Sequence, residues 1–297
     1  MKNKFSCLLW ASVCVGMLLT VTSCEKMNLS KGSADDDANV VIRIRSFEQT
    51  PFRAETRAEV GDLCDHLNFI VFDDNGERVD QKNQELGDDN FGEGRFTLPL
   101  GTYRLAIVAH SSDGNPSVNK RTASKNESVS FTNAKGFTDT FFASKQLTVG
   151  DSAINLDVRL DRVVAKVKFI NEDPIPEKTD SIRFYYEGGS GSIDAQSGYG
   201  NVKSKQAAWF GKDETPFEIY TIPWQDSDYL EVTIGAFQGT DLLASTVVDS
   251  IPIRRNCVTT CRGKLFNGKV TKVTFTITLN DAWETPIEYQ IPDKLNF

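Results

Sequence analysis

The chain has 297 residues, of which 41 are acidic and 33 basic, giving a formal net charge of −8. This acidic balance argues against a nucleic-acid partner, because nucleic acids bind basic surfaces. The length suits one large domain or two of ordinary size.

The N-terminal residues predict an exported lipoprotein. Two lysines precede an apolar run at 8–21, which is too short for a membrane span and has the form of a secretory signal. The run ends in Val-Thr-Ser before Cys24, the pattern of a bacterial lipobox. We expect residues 1–23 to be a signal peptide, Cys24 to carry acyl chains such as palmitate, and residues 24–38 to form a solvated tether. The alternative is an ordinary signal peptide that ends near a cysteine.

Beyond the tether, apolar and polar residues alternate with period two, as expected of strands with one buried face. The first such segment, 40–47, is followed by the polar, Pro-containing stretch 50–59, with Arg-Ala bonds at Arg53 and Arg57. Such stretches are accessible to proteases. Cleavage at either arginine would remove lipid, tether and first strand together, leaving a groove that another subunit's strand could fill by β-augmentation. The alternative is an ordinary loop.

Alternating segments continue to the C-terminus, and none of the chain shows a sustained helical period. Many short strands separated by turn signals, such as Asp-Asp-Asn-Gly at 73–76, predict an all-β protein built from β-sandwiches. The alternation restarts near residue 161, which predicts two domains, 39–160 and 161–297; one sandwich with long insertions is the alternative. The later segments are 67–72, 96–100, 103–109, 156–160, 163–169, 181–186, 217–222, 230–234 and 272–279.

Catalytic chemistry has little support in the sequence. The chain has two histidines, His66 and His110, as candidate bases. Ser111 follows His110, but neighbouring residues of a strand point to opposite faces, so their side chains would diverge. No nucleophile elbow of the form G-x-S-x-G occurs. We interpret His110 as a histidine at a strand terminus, and we expect neither a catalytic residue nor a cofactor.

The cysteines do not indicate a metal site. Three of them, Cys64, Cys257 and Cys261, remain in the mature chain besides the lipidated one. Three cysteines allow at most one disulfide. A zinc site needs four ligands, and the chain has only two histidines to add to the cysteines. We interpret the three as small buried hydrophobic residues.

A glycine-rich stretch, Tyr185–Gln206, matches neither a P-loop nor a dinucleotide-binding fingerprint. We interpret it as a long surface loop without a nucleotide ligand.

Several motifs, taken in order, resemble the Bacteroidales fimbrillin superfamily, whose subunits build type V pili. Within it they are most similar to the FimB-type, Mfa-like anchor and minor subunits. The motifs are the lipobox, Phe-Arg-Ala-Glu-Thr-Arg-Ala-Glu at 52–59, His-Leu-Asn-Phe-Ile-Val-Phe-Asp at 66–73, Leu-Gly-Thr-Tyr-Arg-Leu at 100–105, Ala-His-Ser-Ser at 109–112, Phe-Tyr-Tyr-Glu-Gly-Gly-Ser-Gly at 184–191, Arg-Asn-Cys at 255–257 and Arg-Gly-Lys-Leu-Phe at 262–266.

The resemblance implies two transthyretin-like β-sandwich domains in series, lipid attachment to the outer membrane, and surface exposure as part of a fimbrium. It implies joining to other fimbrial subunits by donor strands, with host or bacterial surface ligands as further partners. The glycine-rich stretch would be a family feature without a catalytic role, its glycines permitting positive φ and close backbone approach. Three Asp-Ser triplets are similar to O-glycosylation sites, at Ser152, Ser181 and Ser250.

The predicted function is therefore that of a fimbrial subunit, an anchor or a minor or tip component, which is not an enzyme. The extended segment Trp283–Pro292 is a candidate donor or interface strand. The alternative is a surface lipoprotein that binds glycans or host ligands in cell adhesion without polymerising.

Overall fold

A computed structural model describes residues 37–48, 60–131, 137–226 and 228–266, together with strands at 276–280 and 288–289. Residues 37–297 form one compact unit. The described residues fold as β-strands with one short 3₁₀ helix, Val60–Asp62, so the predicted all-β class is confirmed. Within these ranges no helix has the length and apolar character needed to cross a membrane.

Most of the alternating segments of the sequence are strands, and further strands lie between them. In the described part of the chain the strands are β1 (Val40–Phe47), β2 (His66–Asp73), β3 (Arg78–Glu85), β4 (Glu93–Phe96), β5 (Gly101–His110), β6 (Ser117–Asn119), β7 (Ser128–Ser130), β8 (Phe141–Val149), β9 (Ile154–Arg162), β10 (Ala165–Asn171), β11 (Ser181–Glu187), β12 (Ser192–Asp194), β13 (Gln206–Phe210), β14 (Phe217–Thr221), β15 (Asp228–Gln238), β16 (Asp241–Ile253), β17 (Val258–Gly263), β18 (Thr276–Asn280) and β19 (Glu288–Tyr289). The predicted segment 96–100 was wrong, because β4 ends at Phe96 and residues 97–100 form no strand.

The first half of the chain folds around a seven-stranded sheet of order β3-β2-β5-β8-β9-β1-β4. Strands β8 and β9 pair through two residue pairs at 141–142 and 161–162, so the sheet folds over at this narrow seam. The layers β3-β2-β5-β8 and β9-β1-β4 then enclose one apolar core. Gly94 of β4 lies directly on Phe69 of β2, since a Cβ added at Gly94 would stand 2.8 Å from that ring.

The second half forms a sandwich from a five-stranded sheet, β14-β10-β17-β18-β19, and a four-stranded sheet, β13-β11-β15-β16. Its core contains Phe184, whose ring centroid lies 4.9 Å from that of Phe169 and 5.2 Å from that of Phe217. The chain passes from the first sheet to the second between Arg162 and Ala165. The division into 39–160 and 161–297 stays a prediction.

The glycine-rich stretch is not a surface loop, so that expectation was wrong. Its strand β12 pairs with β7 of the first half, and Ile193 is fully buried in an apolar cluster with residues of both halves. Gly188 has a φ of 113°, and a Cβ added there would lie 2.2 Å from the Tyr229 carbonyl oxygen. A Cβ at Gly189 would lie 1.9 Å from Thr221 Oγ1. The glycines thus permit the close approach implied by the family resemblance.

A buried arginine also joins the two halves. Arg162 donates hydrogen bonds of 2.7 and 2.8 Å to the Asp139 carboxylate and one of 3.0 Å to Asn256 Oδ1, beyond β16. Its guanidinium lies 4.7 Å from the centroid of the Phe141 ring. Because a buried charge is stable only when paired, these contacts fix the position at which the chain leaves the first sheet.

We expect Gly189→Ala to lower the free energy of unfolding by about 2 kcal/mol, because the new methyl group overlaps Thr221 in a packed interior. Gly150→Ala is the matched control, since Gly150 is exposed and a Cβ there meets no atom within 4 Å. Urea denaturation measures the free energy of unfolding of both variants, and their midpoints can be compared if their m-values are equal. Equal midpoints for the two variants would contradict the assigned burial.

Candidate functional site

The strand β1 occupies an interior position of the first sheet. It runs parallel to β9, with Val40 opposite Ile154 and Ile44 opposite Val158, and antiparallel to β4. Its backbone groups are therefore engaged on both sides, although β4 pairs only with residues Val40 to Arg43 of β1. We call the position between β9 and β4, with the core beneath it, the β1 seat.

Alternate side chains of β1 fill the core beneath the seat. Val40 and Ile42 are fully buried, and Ile44 and Phe47 nearly so. The Phe47 ring meets that of Phe141 edge-on at 4.9 Å between centroids. Burying each such side chain contributes roughly 1.5–3 kcal/mol, so an empty seat would leave a large apolar groove.

The outward side chains of β1 meet acidic partners on both neighbouring strands. Arg43 Nε lies 2.7 Å from Glu93 Oε2 on β4, and its Nη1 donates to Asn155 Oδ1 at 3.2 Å. Arg45 Nε lies 2.9 Å from Asp157 Oδ1 on β9. The first ion pair is partly shielded from solvent, whereas the second is exposed.

Both ends of β1 are fixed by side-chain hydrogen bonds. The Asn39 amide donates to the Leu98 carbonyl at 2.7 Å and accepts from its N–H at 2.9 Å. At the other end, the Glu48 N–H donates to the Leu160 carbonyl at 2.7 Å. Glu48 Oε2 accepts a 3.1 Å hydrogen bond from the Arg162 N–H, at the joint between the halves.

The predicted lipidation and cleavage residues, Cys24, Arg53 and Arg57, lie outside the described residues. So does the candidate donor segment Trp283–Pro292, apart from the strand assignment of β19. The segment with both arginines begins directly after Glu48, the residue that follows β1.

The three candidate glycosylation serines lie on separate elements. Ser152 is exposed in the turn between β8 and β9, and Ser250 is exposed in β16 with a φ of 56°. Ser181 begins β11, is half-buried, and donates a 3.0 Å hydrogen bond to Asp180 Oδ1. Their modification stays a prediction.

The three cysteines are free and buried, which confirms their interpretation as small hydrophobic residues. Burial, with the charge of Asp65, raises the pKa of Cys64 to about 12. Burial also raises the pKa of Cys261 far above its ordinary value. These thiols are therefore unreactive in the folded chain. In the described ranges, no three His, Cys, Asp or Glu side chains group as a metal site would require.

His110 ends β5, as expected of a strand-terminal histidine, but the structure adds a partner that sequence reasoning missed. Across the β2–β5 ladder it stands opposite His66, with ring centroids 5.2 Å apart. His110 Nε2 lies 3.0 Å from Asn68 Oδ1, and its Nδ1 accepts from the Ser112 N–H at 3.1 Å. Both ring nitrogens are thus engaged in hydrogen bonds of a neutral imidazole.

Comparison with known proteins gives one family match. A family model of fimbrillin-A associated anchor proteins Mfa1 and Mfa2 matches residues 34–289. No curated protein matched the chain.

Solved structures with TM-scores of 0.50 and above share the fold at low sequence identity. A candidate polysaccharide-binding protein of Bacteroides thetaiotaomicron has a TM-score of 0.52 and 11% identity, covering 86% of this chain and 98% of its own. A candidate adhesin of Bacteroides ovatus has a TM-score of 0.50 and 11% identity, over 86% and 96%. The fimbrial anchor protein Mfa2 of Porphyromonas gingivalis has a TM-score of 0.45 and 12% identity, over 81% and 96%.

Acid should destabilise the chain through His110. Burial, and secondly the neighbouring His66, lowers the pKa of His110 from 6.5 to about 4, against the opposing charge of Asp65. The unfolded state therefore binds the proton first, so stability is full above pH 6.5 and is lost as the pH falls towards 4. From pH 7 to pH 5 we expect a loss of about 2 kcal/mol from this group.

Urea denaturation at pH 7 and pH 5 measures this loss. The variant His110→Gln should lose most of the pH dependence, whereas the control His66→Gln should retain the larger part, because burial is the main cause of the shift. An unchanged pH dependence in His110→Gln would contradict the assignment.

Proposed function

The chain belongs to the family of fimbrillin-A associated anchor proteins, and we propose that it is a fimbrial subunit. It would be an anchor while lipid and β1 stay on the chain, and a minor component that accepts a neighbour's strand at the β1 seat once β1 is cleaved off. Membership confirms the resemblance found in the sequence motifs. A fimbrial family indicates a structural or adhesive role at the cell surface rather than a catalytic one.

The observation that carries the proposal is the position of β1 in both sheet and sequence. This strand lies inside the sheet, between β9 and β4, yet it is the first strand of the described chain and is followed directly by the segment with Arg53 and Arg57. Cleavage there would separate β1 from the rest of the chain. The backbone edges of β9 and β4 and the apolar groove would then accept an extended strand of another subunit.

The proposed lipid on Cys24 assigns the uncleaved chain to the outer membrane. Residues 24–38 would hold the folded part away from the bilayer, and more than one acyl chain would make the attachment stable. The segment Trp283–Pro292 would serve as the donor or interface strand towards a neighbouring subunit, and Ser152 and Ser250, both exposed, would be accessible to glycosylation.

The double variant Arg53→Gln/Arg57→Gln tests whether cleavage releases β1 for assembly. We expect this chain to keep its lipidated Cys24 and to remain in the outer membrane, absent from sheared fibres. Mass spectrometry of both fractions gives the N-terminus in each. Arg78→Gln is the control, because Arg78 is exposed on the edge strand β3 and should not affect assembly. Fibres containing the uncleaved double variant at the wild-type level would reject the proposal.

A further inference from the structure

Apolar fit alone cannot select the strand that enters the β1 seat. The core beneath the seat accepts apolar side chains from the inward face of the strand. In β1 these are Val40, Ile42, Ile44 and Phe47. Alternating apolar residues occur in many strands of this chain. Discrimination between such strands must come from the outward side chains, since charged groups at an interface contribute more to specificity than to affinity.

The rim of the seat has an ordered pattern of charge. Along β9, parallel to β1, Asp157 is followed by Arg159, while Glu93 stands opposite on β4. The outward side chains that meet them are two basic residues followed by an acidic one. Arg43 pairs with Glu93, Arg45 pairs with Asp157, and Glu48 lies 3.6 Å from Arg159.

We infer that the β1 seat selects a strand with basic residues at positions i and i+2 and an acidic residue at i+5, inserted parallel to β9. This inference rests on the proposed strand exchange and specifies its partner. A strand inserted in the opposite direction would bring its acidic end towards Glu93 and Asp157. The charge order therefore fixes orientation as well as identity, because like charges in contact disfavour the wrong arrangement.

The two basic positions, i and i+2, contribute unequally to the selection of a strand. Glu93 and Arg43 are 19% and 30% exposed in their side chains, and Glu93 also pairs with Arg95 at 2.5 Å. Arg45 and Asp157 are about 60% exposed, at 59% and 61%, where solvent screens the interaction. Position i, opposite Glu93, should dominate the selection.

The chain's own candidate donor does not match this pattern. Trp283–Pro292 contains Glu284 and Glu288 and no basic residue. Placed in the seat of a second copy, it would present no basic side chain to Glu93 and Asp157. The seat thus disfavours a second copy of this chain and favours a strand from a different subunit, which makes the fibre contact at this site heterotypic.

The test uses the full chain with a specific protease site introduced into 49–59 and then cut, so that the β1 fragment can be displaced. Fluorescence anisotropy measures binding of labelled peptides. One peptide has the sequence of residues 39–48, a second has Arg43→Glu and Arg45→Glu, a third has Lys at both positions, and a fourth has the sequence of 283–292. We expect the second and fourth to bind at least roughly tenfold more weakly than the first, and the Lys peptide to bind within a few-fold of it.

The protein variant Asp157→Lys should narrow the difference in affinity between the first and second peptides, and Asp157 is exposed, so that solvent screens the new charge. Equal binding of all four peptides would overturn the charge selection while leaving strand exchange intact. Binding of none of them to the cut chain would reject strand exchange itself, and the inference with it.

Discussion

A strand inside a β-sheet cannot leave without exposing two rows of backbone hydrogen-bonding groups, and this constraint governs the first half of the molecule. β1 occupies such a position between β9 and β4. Its inward side chains also complete the apolar core, with Val40 and Ile42 fully buried. The sandwich is therefore complete only with a strand in the β1 seat, whichever chain supplies it.

The end of β1 lies beside the joint between the two halves. Glu48, directly after the strand, accepts a hydrogen bond from the Arg162 N–H, while the Arg162 side chain holds Asp139 and Asn256. The glycine-rich stretch reinforces this joint by packing Ile193 into a cluster shared by both halves. A strand in the seat thus contacts the residue that fixes how the second half begins.

Much of this architecture could be predicted from local pattern, and the failures have a common cause. Alternation predicted β1 and β9, each of which buries one face. The apolar segments of β2 and β5 were also predicted, although these strands are buried on both faces. The turn at Gly76, with a φ of 76°, followed from its sequence. The polar edge strand β3, Arg78–Glu85, shows no apolar face and was missed. The parallel pairing of β1 with β9, the burial of the glycine-rich stretch and the histidine pair all depend on contacts distant in sequence. No local period encodes such contacts, and the cleavage and lipidation residues lie outside the described part of the chain.

The most direct test is a cryo-electron microscopy map of native fimbriae that contain this subunit, traced through the density between β9 and β4. The account predicts a strand there that continues into a neighbouring, different subunit, with basic side chains opposite Glu93 and Asp157. A strand continuous with residue 60 of the same chain in every fibre-incorporated subunit would contradict it, because the seat would then be closed permanently by the chain itself.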